Sequence, residues 1–222
     1  LGTVATLTAL GSPDAIGVAT DLLHRGSVDA AIAEIGERWG HINAVVNAAG
    51  PLPGGLADLE ASDEAWAAVF DGLALSSVRT IRAALPFLRR AEWARIVNVS
   101  AMSTKCQSPS LIAYTAAKSA LTSLTKNLAQ TLAPEGILVN TVSPGTFATA
   151  SFKAALAEMP GVDENDLHDV MRFIGEGFGH HVFLDRAADP DEIGPVIAFA
   201  ASARNTYMTG ANINVDGGSD FT

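Results

Sequence analysis

The runs INAVVN (42–47), ARIVNVS (94–100) and GILVNTVSPG (136–145) are short, apolar on successive residues, and separated by longer segments with helical spacing. A strand with one wet face alternates polar and apolar residues. These do not, so both of their faces must be covered, and strands of that kind alternating with helices predict a doubly wound parallel α/β sheet. Ligands in such sheets sit beyond the carboxyl ends of the strands. Here those ends read Asn47-Ala48-Ala49-Gly50, Ser100-Ala101 and Ser143-Pro144-Gly145, with Asp21 closing a fourth expected strand, DAIGVATD at 14–21.

The same reading places helices at 27–40, with Ser27 as N-cap and Gly40 as C′, at 62–88, at 112–133 and at 190–202, the last opened by Pro190. ANINVDGG supplies a last strand, and 146–188 is a longer mixed stretch. Leu1, Val4 and Leu7 are spaced as one face of a helix at the start of the chain.

Composition removes several functions. A net charge of −10 with only 14 Lys and Arg, scattered along 222 residues, argues against a nucleic-acid partner, which needs clustered cations. No apolar run reaches membrane-spanning length, so no membrane partner is expected. The single Cys106 excludes an intrachain disulfide and fits a reducing, cytoplasmic setting. His180-His181 stands outside any set of ligands with metal-site spacing, and the glycosylation-like Asn98-Val99-Ser100 falls on an expected buried strand. The acidic run DENDLHD (163–169) reads as a solvated helix start.

The segment NVSAMSTKCQSPSLIAYTAAKSAL (98–121) carries the chemistry. It leaves a strand, crosses a Ser/Pro loop and enters a helix with Tyr114 and Lys118 four apart, hence on one face. Such a pair alone is common on solvated faces. In order with Asn47-Ala48-Ala49-Gly50 upstream, and with Pro144-Gly145 and YMTGANINVDGG downstream, it resembles the classical short-chain dehydrogenase/reductase family from about residue 14 to Gly218.

That resemblance implies a Rossmann-like single domain over 1–222, an NAD or NADP cofactor, and assembly as a dimer or tetramer through the helices at 62–88 and 112–133 and the final strand. Tyr114 is then the proton donor or acceptor for a substrate oxygen. Lys118 lowers the phenol's pKa and reaches the cofactor ribose. Asp21 and Leu22 meet the adenine, and Asn47, Ala48, Ala49 and Gly50 turn beneath its ribose. Pro144, Gly145, Thr146 and Phe147 meet the carboxamide, with the Thr149 hydroxyl beside it. Each has a plainer rival: Asp21 as a loop cap, Pro144-Gly145 as an ordinary turn, Asn47 as a buried backbone partner.

Three departures stand against the family pattern. Where the family has a serine, thirteen residues before Tyr114, the chain has Ala101, and the family's helix asparagine maps onto Leu73. Loss of one such hydrogen-bond donor costs ~10²–10³ in rate. Ser100 on an extended chain points to the opposite face from residue 101, which leaves Ser103 as the stand-in. Leu73 puts the proton path to the lysine in doubt. No Gly-rich phosphate cradle precedes Asp14, and Gly50, Gly54 and Gly55 cannot replace it because Pro51 and Pro53 lack donors. The expectation is a domain without its first βαβ unit, about 30 residues or more.

The apolar residues of 146–188, Phe147, Phe152, Met159, Met171, Phe173, Ile174, Phe178, Val182 and Phe183, suggest a hydrophobic alcohol, ketone or oxoacyl substrate, or simply a helix packed on the core. The leading function is an NAD(P)-dependent oxidoreductase weakened by Ala101 and Leu73. The alternatives are a non-catalytic ligand-binding or subunit module of the same fold, and an isomerase or dehydratase using Tyr114 without hydride transfer.

Overall fold

A computed structural model describes residues 2–50 and 57–219. In chain order these form α1 (Gly2–Ala9), α2 (Arg25–Trp39), β1 (Ala44–Asn47), α3 (Asp63–Phe70), α4 (Ser76–Leu88), β2 (Ala94–Val99), α5 (Ile112–Leu132), β3 (Ile137–Pro144), α6 (Ala150–Leu156), α7 (Leu167–Phe178), α8 (Gly194–Ala200) and β4 (Asn212–Val215). The four strands pair in sequence order, all parallel, as the continuous apolar runs require. Val45, Ile96, Ile137 and Val139 pack with Ile81, Ala84 and Leu88 of α4 and Ala129 and Leu132 of α5 on one face. Val97 and Val142 pack with Ala200 of α8 on the other. A third apolar cluster, of Ala148, Leu156, Val170, Met171, Ile174 and Ala187, holds α6 and α7 together.

Helix ends follow local chemistry. Gly40 closes α2 in the left-handed region (φ 77°), and the Ser62 hydroxyl accepts a hydrogen bond from the Ala65 amide to start α3. The expected long helix at 62–88 is broken by one π turn, Asp71–Leu75, where the Ser76 hydroxyl donates to the Gly72 carbonyl at 2.6 Å.

Three expectations are corrected. Residues 14–21 form no strand: β1 pairs only with β2 among the described residues, and 14–21 has no ladder to join. The helix expected from Ser27 begins at Arg25 with His24 as N-cap, because the Ser27 hydroxyl is taken by the Asp21 amide at 2.9 Å. The segment from Pro190 splits into a 3₁₀ turn, Pro190–Glu192, and α8, with Pro195 at the second position of that helix. The helix at the chain start is present as α1, yet it buries no residue; Leu1 lies outside the described residues.

Register sets a polar row across the sheet. Asn47 stands opposite Asn98, Asn98 opposite Thr141, and Thr141 opposite Asn212. Asn47 Nδ2 donates to Asn98 Oδ1 (2.8 Å), and Asn98 Nδ2 donates to Thr125 Oγ1 on α5 (2.9 Å). This chain pins α5 to the strand ends beside Tyr114 and Lys118. Asn98 is fully buried, so the glycosylation-like triplet has no outlet.

Candidate active site

Tyr114 and Lys118 occupy the inward face of α5, where Ala113 and Ala117 are small enough to let the helix settle onto α3 and the π turn. Lys118 is only 5% exposed. Its Nζ donates to the Val99 carbonyl at 2.8 Å, at the end of β2, and lies 5.8 Å from the centre of the Tyr114 ring. Burial pushes the Tyr114 phenol above its ordinary value and lowers Lys118 to about 8. The lowering of the phenol expected from Lys118 is therefore outweighed here by desolvation, with the ammonium turned toward Val99.

This has a measurable consequence. An unfolded lysine titrates near 10.5, so between pH 8 and 10.5 the unfolded chain binds the extra proton and stability rises with pH, while below pH 8 the full burial penalty remains. Tyr114 acts in the opposite direction only above about pH 10. Replacing Lys118 by methionine is expected to stabilise the protein at pH 7 by ~2 kcal/mol, after the lost hydrogen bond to Val99 is discounted. Denaturant melts at pH 7, 8 and 9.5 check it: parallel pH profiles for K118M and parent would contradict the burial account.

Ala101 follows β2 in extended backbone (φ −158°, ψ 152°) and is buried with only a methyl group to offer. Ser100 faces the other way, its hydroxyl donating to the Lys118 carbonyl (3.1 Å) and lying 2.9 Å from Thr122 Oγ1. Ser103 is 3% exposed and accepts a hydrogen bond from Thr115 Oγ1 at 3.0 Å, so its own proton is not spent on that contact. Leu73, in the π turn, packs with Val69, Ala113, Ala117 and Tyr114. A Cβ on Gly50 would come 2.8 Å from Leu73 Cδ2, so the glycine (φ 129°) lets the turn after β1 pass under this leucine.

Leu22, Asn47, Ala48 and Ala49 line one cavity of about 150 Å³ past the end of β1. Val46 and the hydroxyl-bearing Ser76, Ser77 and Thr80 complete it. The sequence reading missed these three hydroxyls, although Ser76 and Thr80, four apart in α4, share a helix face. Asp21 does not line this cavity: its carboxylate accepts from the Leu23 amide at 2.9 Å, a local cap.

Thr146, Phe147 and Thr149 line a separate open groove of about 470 Å³ with Phe152 and Ile174. The Thr149 hydroxyl also caps α6 through the Phe152 amide (3.3 Å). Gly145 donates to the Val215 carbonyl (2.9 Å), and a Cβ there would fall 2.7 Å from the Asp216 Cα, so this turn is held by β4 and tolerates no side chain. Residues 51–56, with Pro51, Pro53, Gly54 and Gly55, lie outside the described residues. Among the described residues no three His, Cys, Asp or Glu side chains are grouped to hold a metal ion, and no helix is long and apolar enough to cross a membrane.

A doubly wound parallel sheet with a half-buried tyrosine beside a buried lysine and clefts past its strand ends defines a Rossmann-type oxidoreductase. The chain belongs to the short-chain dehydrogenase/reductase family, whose enzymes use NAD or NADP. A family model described as enoyl-(acyl carrier protein) reductase matches residues 2–220. A Mycobacterium tuberculosis protein, (5R,7aS)-5-hydroxy-7a-methyl-1-oxo-2,3,5,6,7,7a-hexahydro-1H-indene-carboxyl-CoA reductase, is 35% identical over 217 residues, covering 96% of this chain and 76% of its own length. The 3-oxoacyl-[acyl-carrier-protein] reductase FabG of Vibrio cholerae is 29% identical over 202 residues, covering 91% and 76%. Among solved structures, an NADPH-bound short-chain oxidoreductase from Pseudomonas aeruginosa PAO1, described as containing an atypical catalytic center, matches with a TM-score of 0.77 at 26% identity, over 90% of this chain and 74% of that one.

Proposed function

We propose that the chain reduces or oxidises a hydrophobic ketone, oxoacyl compound or secondary alcohol with NAD(P), using Tyr114 as proton donor or acceptor and Lys118 as its charged neighbour. The observation that carries this reading is the pairing on α5 of half-buried Tyr114 with buried Lys118, tied to the end of β2 through Val99. The residues present support the adenine and nicotinamide ends of a nicotinamide dinucleotide. Leu22 and Asn47–Ala49 share one cavity past β1, with Gly50 following, and Thr146, Phe147 and Thr149 share the groove past β3, after Pro144 and Gly145. When bound, the cofactor supplies the hydride chemistry.

The chain's own residues do the rest. Tyr114 holds the proton that a carbonyl oxygen takes up on reduction, and its raised pKa keeps it protonated before reaction. Ser103 is the candidate second donor to the substrate oxygen in place of the serine absent at 101. The groove fronted by Phe147, Phe152 and Ile174 supports an apolar substrate, in line with relatives named for oxoacyl and CoA-bound ketone reduction. Exposed Leu75 and Phe199 support assembly into a dimer or tetramer, and the lone Cys106 fits the cytoplasm.

Titration calorimetry with NADH and with NADPH, followed by a screen of hydrophobic ketones, tests the proposal. Saturable binding of either nucleotide with turnover of a ketone is expected. Turnover without change in cofactor absorbance would replace it with isomerase or dehydratase chemistry, and neither binding nor turnover would refute it.

A further inference from the structure

The cavity past β1 has walls of unequal firmness. Asn47 ends a strand laddered to β2, with Ala48 and Ala49 directly after it, and Ser76, Ser77 and Thr80 lie on α4. Leu22 has no such support. It follows 14–21, which joins no ladder, and sits in a turn ahead of α2. A wall without regular hydrogen bonds needs side-chain anchors to keep its shape.

Two side chains supply them. The Ser27 hydroxyl of α2 accepts from the Asp21 amide at 2.9 Å. From the opposite side of the cavity, Arg79 of α4 reaches Leu22 itself: its Nη1 donates to the Leu22 carbonyl at 3.3 Å. Among the described residues no other group hydrogen-bonds that carbonyl. The second terminal nitrogen, Nη2, donates to Asp71 Oδ1 at 2.5 Å, at the start of the π turn. The two side chains are only 20% and 30% exposed, so solvent screens this pair less than an open surface pair. Asp71 therefore fixes the guanidinium plane, and the rigid fork aims Nη1 at Leu22. Arg79 stands next to Thr80 in sequence, yet it does not line the cavity.

We propose that Arg79 is a positioning residue for the cofactor, holding Leu22 as the adenine-side wall through the Asp71–Arg79–Leu22 bridge. The assignment rests on the NAD(P) reading above. A wall held in place before the nucleotide arrives spares binding the cost of ordering it, and without Arg79 that cost falls on affinity.

The test is titration calorimetry of the whole chain with NADH, NADPH, adenosine monophosphate and nicotinamide mononucleotide. R79M is expected to bind the preferred dinucleotide and adenosine monophosphate about tenfold more weakly. Nicotinamide mononucleotide, which has no adenine, is expected to bind parent and variant alike; a general folding defect would weaken both halves. Because Arg79 acts through Leu22, adding R79M to L22A is expected to cost less than about twofold more. D71N/R79M leaves no unpaired carboxylate, guards against misfolding of R79M, and is expected to show the same losses. Adenosine monophosphate affinity unchanged in R79M and D71N/R79M, equal weakening of the two mononucleotides, or a full tenfold effect of R79M on top of L22A would each overturn the assignment alone. A parent chain that binds neither dinucleotide would sink the cofactor reading and this assignment with it.

Discussion

Replacing Tyr114 by phenylalanine is expected to lower kcat/KM for the best ketone by ~10²–10⁴ while leaving the fold untouched. The ring stays where it packs, against Leu73, Ala113 and Ala117, and among the described residues the hydroxyl makes no hydrogen bond that the fold would lose. The check is initial-rate kinetics beside a melting curve. Loss of rate at an unchanged melting temperature assigns the proton to Tyr114. A variant that keeps its rate within about twofold would remove Tyr114 from the chemistry and leave the Tyr–Lys pair as packing.

Restoring a serine at position 101 is expected to act in the opposite direction, raising the rate by ~10²–10³, the usual worth of one well-placed donor to a developing oxyanion. The backbone at Ala101 is extended and accepts any L-residue, so the gain need not be offset by strain. Pairing it with Ser103→Ala makes the experiment decisive. If Ser103 is the present donor, S103A slows the parent but hardly affects the A101S protein, because the two hydroxyls serve one oxygen and their effects do not add. If S103A leaves the parent rate unchanged, the hydroxyl held by Thr115 is structural, and Tyr114 works without a second side-chain donor.

The sheet was legible in the sequence because its strands are apolar on both faces, a pattern only a covered parallel sheet explains; β1 to β4 fall inside the expected runs. The segment 14–21 misled for a physical reason. Apolar content can nominate a strand, but a strand exists only through a neighbour's hydrogen bonds, and the chain places none beside 14–21 among the described residues. Ser27 misled in the same way, since a hydroxyl serves whichever donor is closer, and the Asp21 amide is that donor. The positions of Tyr114, Lys118, Asn47 and Leu22 came from motif order. The roles of Ser76, Ser77 and Thr80 did not, because hydroxyls on a helix become a cavity wall only once the turn after β1 is folded against them. The dominance of burial over the Tyr–Lys attraction was equally hidden, as it depends on how deeply α5 settles.

The close approach of Gly145 to Asp216 also bears on how this chain can evolve. The turn that leads into the open groove is frozen: backbone meets backbone there, and any mutation that adds a side chain must first dislodge the chain just past β4. The groove itself is fronted by Phe147, Phe152 and Ile174, of which Phe152 and Ile174 pack within the cluster of α6 and α7 and not in the sheet core. The side chains that front the groove can therefore change one residue at a time while the turn at Gly145 stays fixed.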